Sequence, residues 1–314
     1  MKQVRPKKNL GQHFLTDLTI ARRIADTVDA CPDIPVLEVG PGMGVMTQYL
    51  VDKPRPFKVV EIDRESVAYL KATLFRREYE GTEVREYGGA GARRREGTEV
   101  REDETDISRT PAPPHPLTPE NSPEQSPIIE ADFLRMDLTK VFDGQQFVLT
   151  GNYPYDISSQ IFFKMLDNRH LIPCCTGMIQ HEVALRMAAA PGNKQYGILS
   201  VLIQAWYDVE YLFLVDETVF NPPPKVKSAV IRMTRNDVQH LGCDETLFKR
   251  VVKTVFNQRR KMLRVSLRQL LPNLQTASPA LAEHAFMTMR PDQLTIPQFV
   301  ELTNMVEKAL CATT

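Results

Sequence analysis

Residues 35–44 read Pro-Val-Leu-Glu-Val-Gly-Pro-Gly-Met-Gly, a short apolar run that leads directly into three closely spaced glycines. The run predicts a buried strand at 35–39, followed by a helix near 45–52. Glycines in such a loop let the backbone approach a ligand closely, and the helix offers free N–H groups at its amino end. The G-x-G-x-G spacing lacks the G-x-G-x-x-G register of dinucleotide sites. The stretch therefore indicates a strand–loop–helix unit of an α/β sheet.

A second strand, predicted at 57–62, contains an acidic residue at a spacing typical of nucleoside sites. Glu61 follows Gly40 by 21 residues, the usual distance for a carboxylate that accepts both hydroxyls of a ribose. A third strand at 128–132 ends in Asp132, which could accept a hydrogen bond from an exocyclic amine such as that of a cofactor's adenine. Strand, glycine loop, helix, strand and acid together predict a nucleoside cofactor.

Residues 146–155, Gln-Phe-Val-Leu-Thr-Gly-Asn-Tyr-Pro-Tyr, predict a further buried strand that ends in a polar and aromatic turn. The Asn152 side-chain oxygen and the Tyr153 carbonyl can each accept a hydrogen bond from an NH2 group. Tyr155 can stack on a ring face, and Pro154 stiffens the turn by fixing one φ angle. The set suits a planar base with an exocyclic amine. For the tetrapeptide alone, a strand followed by an ordinary polar turn is the simpler alternative.

The amino-acid composition limits the number of domains, the compartment and the partners that can be expected. The chain has 314 residues, 42% of them hydrophobic, which suggests two domains or one large domain with an appendage. Its 39 Lys and Arg balance 39 Asp and Glu, so net charge indicates no partner. Five cysteines without a C-x-x-C pair predict reduced thiols in a cytoplasmic protein and no metal site. No apolar run reaches about 18 residues, so no membrane span is expected.

Residues 76–126 differ in composition from the rest of the chain. They carry Glu-Gly-Thr-Glu-Val-Arg-Glu twice, at 80–86 and 96–102, and are rich in charge, glycine and proline. Such a composition cannot bury enough apolar surface to offset its ordering entropy. We expect a flexible insertion on the rim of the sheet, and a solvated loop rather than a binding arm.

The rest of the first 236 residues alternates helices with strands. Helices are expected at 17–30, capped by Thr16, and at 64–75, 158–168, 181–190 and 196–207, with strands at 176–180, 211–215 and 226–233. The last two strands form an antiparallel pair. The loop at 219–226 contains three consecutive prolines and is expected to be stiff and extended. It could hold Phe220 against a base, and a packed Phe is an equal alternative.

Strand signals stop after Asp237, and 246–271 follow a helical pattern that ends before Pro272. Arg259 falls on the apolar side of this helix, so either the helix breaks near Asn257-Gln258 or Arg259 points into a domain interface. A helix face with seven positive charges and no intervening acid predicts a phosphate-binding stripe rather than a merely solvated face. Seven basic side chains share an arc of roughly 120° on a continuous helix: Lys249, Arg250, Lys253, Arg260, Lys261, Arg264 and Arg268.

Together these motifs resemble the rRNA adenine N6,N6-dimethyltransferases, and within them the small-subunit family typified by KsgA (RsmA). The chain departs from the family's pattern at His13, where Asn is frequent, at Tyr153, where Leu or Ile is common, and in the long gap between Asp63 and Asp132. The matching stretches span nearly the whole chain outside 76–126: Asn9–Leu15, Leu37–Gly44, Val60–Asp63, Ala131-Asp132, Gly151–Ser158, Gln180–Val183, Tyr196–Val201, Phe220–Val230 and Phe256–Leu263.

The resemblance implies an α/β fold of the class I S-adenosylmethionine-dependent methyltransferases, with a Rossmann-like seven-stranded sheet at 1–236 and a small all-α rRNA-binding domain at 237–314. It implies that the cofactor, S-adenosylmethionine, lies among His13, Leu15, Gly40, Glu61, Asp132 and Asn152. The expected catalytic set is Asn152, Tyr153, Pro154 and Tyr155. The expected RNA contacts are Phe220, Lys253, Arg260, Lys261, Arg264 and Arg268.

The implied reaction transfers methyl groups to N6 of two adjacent adenines near the 3′ end of small-subunit rRNA, within an assembling ribosomal subunit. The residues agree with this chemistry. Two acceptors would hold the N6 hydrogens and favour a pyramidal nitrogen, so catalysis would be mostly positioning and electrostatics. The base must leave its stack to reach such a pocket. We expect a monomer that contacts no membrane.

Three alternatives stay open on the sequence. The first is an erythromycin-resistance-type methyltransferase of large-subunit rRNA, against which Gly40-Pro41-Gly42 and the F-N-Q-R-R-K stretch at 256–261 argue. The second is an assembly factor that acts by binding alone. The third is a small-molecule methyltransferase, which would have no use for the basic helix.

Overall fold

The structure is a computed structural model, and it describes Lys7, residues 12–75 and residues 126–312. The described strands are β1 Phe14–Leu15, β2 Val36–Val39, β3 Phe57–Glu61, β4 Ile128–Glu130, β5 Val148–Thr150, β6 Cys174–Gln180, β7 Tyr207–Val215, β8 Phe220–Asn221 and β9 Ser228–Arg235. The described α-helices are α1 Leu18–Ala25, α2 Thr47–Leu50, α3 Arg64–Ala72, α4 Ser158–Asp167, α5 His181–Met187, α6 Ile198–Gln204, α7 Glu245–Phe256, α8 Leu263–Ser266, α9 Leu274–Ala277, α10 Pro279–Glu283 and α11 Ile296–Cys311.

Seven of the strands form one sheet in the order β4-β3-β2-β5-β6-β9-β7. The strands from β4 to β6 pair in parallel, and β9 pairs antiparallel with both β6 and β7. The order reverses between β2 and β5, so the loops after these strands diverge and open a crevice at their carboxyl ends. The predicted Rossmann-like seven-stranded sheet is confirmed.

The central strands are buried along their whole length. All residues of β2 and β5 are buried, as expected for parallel strands that are covered on both faces. Each strand carries one polar residue near its carboxyl end, Glu38 in β2 and Thr150 in β5, and the two stand opposite each other in the sheet. The apolar run is therefore interrupted only beside the crevice.

The first predicted helix is shorter than expected and has a different cap. α1 ends at Ala25 and continues as a 3-10 turn over residues 26–30. Its N-cap is Asp17, whose carboxylate accepts from the backbone N–H groups of Thr19 and Ile20, so the prediction of a Thr16 cap is wrong. Thr16 instead donates through its N–H and its hydroxyl to the carbonyl of Val219. Asp17 is the stronger cap because its carboxylate accepts two bonds.

The continuous helix predicted over 246–271 is also wrong. α7 ends at Phe256, and α8 begins only at Leu263. In the turn between them the Arg259 guanidinium lies 3.2 Å from the Asn193 carbonyl oxygen and 3.4 Å from an Asp292 carboxylate oxygen. Both alternatives raised by Arg259 therefore occur together, because the break lets its side chain turn toward neighbouring segments.

Two cysteines contradict the prediction that all five are reduced. Cys31 and Cys174 are joined by a disulfide, with their Cα atoms 5.8 Å apart. Cys31 follows the 3-10 turn at 26–30, and this turn packs against β6, where Cys174 is the first residue. The pairing brings together positions 143 residues apart in the chain, which no spacing rule could reveal. Cys175, Cys243 and Cys311 are free thiols.

Every regular element described after β9 is helical. The apolar core of this helical part is continuous with the core of the sheet. Buried side chains of α7 and α11 belong to the same apolar cluster as those of β5 and β6. Trp206, the only tryptophan, packs edge-on against Phe248 of α7 at 6.0 Å between ring centroids. A domain boundary at 236/237 therefore stays a prediction.

Two further predictions concern the insertion and the absence of membrane spans. The insertion predicted at 76–126 lies outside the described residues, apart from Ser126. Within the described ranges, no helix combines the length and the apolar character that crossing a membrane requires.

The continuous core makes a prediction for Phe248→Ala. We expect this change to lower the free energy of unfolding by about 3–5 kcal/mol, because it opens a cavity beside Trp206. Urea unfolding should show one transition, coincident by tryptophan fluorescence and circular dichroism. The exposed Val265→Ala change in α8 serves as control and should alter the free energy by less than about 0.5 kcal/mol. A separate helical transition that precedes the fluorescence change would contradict the continuous core.

Candidate active site

A cavity of about 260 Å³ opens at the carboxyl ends of β2, β3, β4 and β5. Each of these strands contributes the residues that follow it, and a segment near the amino terminus, Gln12–Leu15, completes the wall. Nine predicted site residues line this one cavity: His13, Leu15, Gly40, Glu61, Asp132, Asn152, Tyr153, Pro154 and Tyr155. The structure thus brings together every residue predicted for the cofactor and for catalysis.

The glycine loop after β2 forms the floor of the cavity. Gly40 and Gly42 have φ angles of +68° and +56°, a region that other residues rarely adopt. A Cβ on Gly42 would also lie 3.0 Å from the ring of Phe14. The loop therefore needs glycine for its conformation and for the close approach of Phe14.

Glu61 at the end of β3 is buried, and its carboxylate is held by backbone N–H groups. Its oxygens accept from Gly42 at 3.0 Å, from Ile62 at 2.8 Å and from Asp63 at 2.9 Å. Burial raises the pKa of this carboxyl, and the three N–H groups oppose that rise. A carboxylate offers about four acceptor positions. One therefore remains for a ribose hydroxyl, and accepting both hydroxyls requires Gly42 to release its bond.

Glu38 is a site residue that the sequence analysis missed. It is fully buried in β2, lines the cavity, and its Oε2 has no hydrogen-bond partner among the described residues. Burial raises its pKa to about 8. The folded chain keeps a proton that the unfolded chain releases near pH 4.5, so this group destabilises the ligand-free fold increasingly as pH rises from 4.5 to about 8. The sequence did carry a signal for Glu38, namely an acidic residue inside an otherwise apolar strand.

A second missed feature ties the amino-terminal segment to the cavity. The Lys7 ammonium lies 2.6 Å from the Asp63 carboxylate, and the Gln12 side-chain N–H donates to the same group at 3.4 Å. Asp63 is buried, which by itself raises its pKa, but its hydrogen bond with Lys7 and those from neighbouring groups outweigh burial and lower it. Asp63 therefore stays ionised and anchors Lys7 and Gln12.

Asp132 follows β4 and is only half-buried. One of its oxygens accepts from the Leu134 N–H at 2.9 Å, and the other lies 3.4 Å from the Arg135 guanidinium. The first bond fixes the carboxylate at the edge of the cavity. Acceptor positions on the second oxygen stay available to an amine, and a contact of Asp132 with an adenine amine stays a prediction.

The turn after β5 presents one amide and one carbonyl. The Asn152 side chain donates through Nδ2 to the His13 carbonyl at 3.3 Å. The Tyr153 ring is buried, and its hydroxyl donates to the Thr176 carbonyl at 3.0 Å. No hydrogen bond from the described part of the chain reaches the Tyr153 carbonyl. Oδ1 of Asn152 and this carbonyl are therefore the acceptors that the turn leaves for a ligand.

Two aromatic residues differ in their access to the cavity. Tyr155 lines it, with its ring 5.6 Å from the His13 ring and inclined by 27°, and its hydroxyl is hydrogen-bonded to the Ser228 hydroxyl. Phe220 does not line it. Its ring is 4% exposed within an apolar cluster, and β8 pairs with β1 through Phe220 and Leu15. Of the two alternatives for Phe220, the structure has the packed one.

The predicted basic residues lie outside the cavity on several elements. Lys249, Arg250 and Lys253 belong to α7, and Arg260 and Lys261 to the turn that follows it. Lys249 pairs with Asp167 at 2.6 Å. Six exposed cations have no carboxylate within 4.0 Å among the described residues and are called the basic surface here: Arg250, Lys253, Arg260, Lys261, Arg264 and Arg268.

Comparison with known proteins identifies the family of this chain. A model of the ribosomal RNA adenine dimethylase family matches residues 3–84 and 116–308. This chain belongs to that family. A ribosomal RNA small subunit methyltransferase A of Bacteroides fragilis is 57% identical, over 99% of this chain and 95% of the relative. A protein of the same name from Porphyromonas gingivalis is 47% identical, over 98% of this chain and 100% of the relative.

Solved structures with the same fold agree with the class I assignment. A dimethyladenosine transferase from Plasmodium falciparum superposes with a TM-score of 0.64 at 22% identity, covering 95% of this chain and 98% of that one. The 23S rRNA methyltransferase ErmE superposes with a TM-score of 0.54 at 23% identity, covering 94% of this chain and 99% of that one. At these identities the likeness establishes the fold alone.

As a member of the ribosomal RNA adenine dimethylase family, the chain is an enzyme that uses S-adenosylmethionine as its methyl donor. The cavity fits this cofactor. The buried Oε2 of Glu38, which has no partner among the described residues, suits a cationic group, and the remaining acceptor position of Glu61 suits a ribose hydroxyl. The family match passes over residues 85–115, which lie inside the segment predicted as an insertion.

Glu38→Gln tests the polar end of the cavity. We expect the affinity of the unaltered chain for S-adenosylmethionine to rise by up to about tenfold per pH unit below pH 8 and then to level off. The positive charge of the ligand favours the ionised carboxyl, whose pKa burial raises to about 8. Isothermal titration calorimetry between about pH 6 and 9 measures this slope. The slope should vanish in Glu38→Gln and persist in Glu65→Gln, an exposed control; a slope retained by Glu38→Gln would contradict the assignment.

Proposed function

We propose that this chain dimethylates N6 of two adjacent adenines near the 3′ end of small-subunit rRNA. The observation that carries the proposal is that one cavity joins the glycine loop and Glu61 to the Asn152–Tyr155 turn. A methyl donor held by the first group would meet a base amine held by the second. Relatives that are 57% identical over nearly the whole chain are named small subunit methyltransferase A, which favours the small over the large subunit.

In this proposal the cofactor lies along the rim of the parallel strands. When bound it supplies an electrophilic methyl group. Glu61 accepts a ribose hydroxyl through its free acceptor position, and Asp132 accepts from the adenine amine. The remaining contacts come from His13, Leu15, Gly40 and Asn152, which line the same wall.

The target amine is held by two acceptors of the turn. Adenine N6 is a poor nucleophile, because its lone pair is delocalised into the ring. Hydrogen bonds from its two hydrogens to Asn152 Oδ1 and the Tyr153 carbonyl favour a pyramidal nitrogen with a localised lone pair. Pro154 fixes the turn, so the acceptors need no reorganisation during the reaction. Each transfer forms one N6–methyl bond and breaks the bond between that methyl group and its donor, and the methylated nitrogen then releases one proton to solvent. The first product retains one hydrogen, which permits a second transfer.

The aromatic contact to the base comes from Tyr155, which lines the cavity beside His13. Stacking on a tyrosine ring holds a base that has left its helix and offsets part of the unstacking cost. Phe220, as packed in the apolar cluster, would have to move before it could add a second stacking face.

The basic surface would hold rRNA phosphates. Two exposed apolar side chains lie in the same stretch of sequence, Met262 at 39% and Val265 at 37% exposure. Phosphate contacts of this kind supply affinity and orientation with little sequence information. Recognition of the two adenines would then depend on the shape of the assembling subunit. We further propose that the chain acts as a monomer in the cytoplasm, with residues 237–314 as its rRNA-binding unit.

Methyl transfer from labelled S-adenosylmethionine to purified small and large subunits tests the proposed function. We expect label on the small subunit only, and nucleoside mass analysis should identify N6,N6-dimethyladenosine. Label on the large subunit would move the substrate to 23S-type rRNA. Absence of label despite subunit binding would mean that the chain acts by binding alone.

Charge reversal tests the basic surface separately. Arg260→Glu, Lys261→Glu and Arg264→Glu combined should raise KM for small subunits at least about tenfold and flatten its salt dependence, because each lost phosphate contact removes roughly 0.7–0.9 from the logarithmic slope. Affinity for S-adenosylmethionine should not change. Lys308→Glu, an exposed reversal in α11, is the matched control. Unaltered turnover of small subunits by the triple variant would mean that these three cations do not hold rRNA phosphates.

A further inference from the structure

Residues Gln12–Thr16, called the strap here, run along the wall of the cavity between two anchored ends. At one end the Gln12 side chain donates to Asp63 at 3.4 Å. At the other, the Thr16 N–H donates to the Val219 carbonyl at 2.8 Å. Between these ends β1 pairs with β8. The strap is therefore anchored at both ends and along β1.

The strap contacts the Asn152 amide through a group that can only accept hydrogen bonds. Nδ2 of Asn152 lies 3.3 Å from the His13 carbonyl oxygen. A primary amide has one donating end and one accepting end. If the amide rotated by half a turn, two oxygens would face each other. The His13 carbonyl therefore requires the NH2 end to face the strap, and Oδ1 must point away from it.

We propose that the strap is a positioning element that sets which end of the Asn152 amide meets the target base. The inference rests on the proposed role of Asn152 as acceptor of an N6 hydrogen. An amine presents hydrogens, so the reversed amide would oppose donor to donor and repel the base. Holding NH2 at the strap selects the one orientation that can bind the target.

The His13 side chain adds an anchor directly beside its own carbonyl. Its Nδ1 lies 2.9 Å from the Pro222 carbonyl oxygen. Because a carbonyl only accepts, Nδ1 carries the hydrogen and donates it. The imidazole also faces the Tyr155 ring at 5.6 Å between centroids. His13 of the strap thus contacts the 219–222 segment, the Asn152 amide and the Tyr155 ring.

The strap also covers the glycine loop, and this links the two halves of the cavity. The Phe14 ring lies so close to Gly42 that a Cβ there would be 3.0 Å away. A group that binds at the glycine loop therefore meets the strap directly. Displacing the strap would free the Asn152 amide to rotate, and an unrestrained amide loses the preorganisation on which positioning catalysis depends.

Side-chain NMR of the full chain labelled with 15N-asparagine tests the contact itself. The Asn152 signal is assigned by its absence from Asn152→Asp. In the unaltered chain, its proton donated to His13 should exchange with solvent at least about tenfold more slowly than the matching proton of the exposed Asn257. His13→Ala should remove this protection. His13→Asn, whose side-chain NH2 can replace the donor to Pro222, should restore it.

Kinetics on small subunits at saturating S-adenosylmethionine test the consequence. We expect His13→Ala to lower kcat about tenfold through the misplaced amide, and His13→Asn to recover it to within about threefold. His170→Ala, which removes an exposed imidazole that precedes the amino end of β6, is the matched control.

Three results would overturn the role of the strap in an active enzyme. They are an unprotected Asn152 amide in the unaltered chain, protection that survives His13→Ala, and loss of protection without loss of kcat. A chain that transfers no methyl group to either subunit would instead refute the proposed function, and the role of the strap with it.

Discussion

The backbone of Gly151–Tyr153 is clamped against β6, and the arrangement of the reacting groups depends on this contact. The Met178 N–H donates to the Gly151 carbonyl at 2.9 Å, and the Tyr153 N–H donates to the Met178 carbonyl at 3.0 Å. A Cβ on Gly151 would lie 2.6 Å from the Val39 carbonyl, and one on Gly177 would lie 2.7 Å from the Tyr153 ring. Glycine at both positions lets three chain segments meet, which leaves the Asn152–Tyr153 peptide little freedom.

This rigidity accompanies a buried polar cluster that destabilises the ligand-free fold. Glu38 and Glu61 are both buried beside the cavity, and burial raises the pKa of each. Glu61 is compensated by three N–H groups, whereas Glu38 has an oxygen without a partner among the described residues. Burying a carboxyl that lacks a partner costs free energy. The cost is understandable if a cationic ligand completes the site, because the same burial strengthens attraction to that ligand.

The sequence predicted best those parts of the site in which one motif both forms the local structure and lines the cavity. The order strand, glycine loop, strand, acid and turn predicted the rim of the cavity, because the carboxyl ends of parallel strands meet at one edge. It failed where tertiary contacts override local pattern. The helix predicted over 246–271 is interrupted between Phe256 and Leu263, where Arg259 contacts Asn193 and Asp292. The Cys31–Cys174 bond depends on neighbours that are distant in sequence, and so does the Glu38 oxygen that lacks a partner in the described part of the chain.

His13 and Tyr153 stand where the family resemblance leads us to expect other side chains, and they share one property. At both positions the group proposed to act is the backbone carbonyl, which any residue provides. The side chain influences how firmly that carbonyl is held. Tyr153 does so through its buried hydroxyl on the Thr176 carbonyl at 3.0 Å, and His13 through Pro222 at 2.9 Å. Chemistry carried by the main chain leaves the side chain free to change as long as a new anchor replaces the old one.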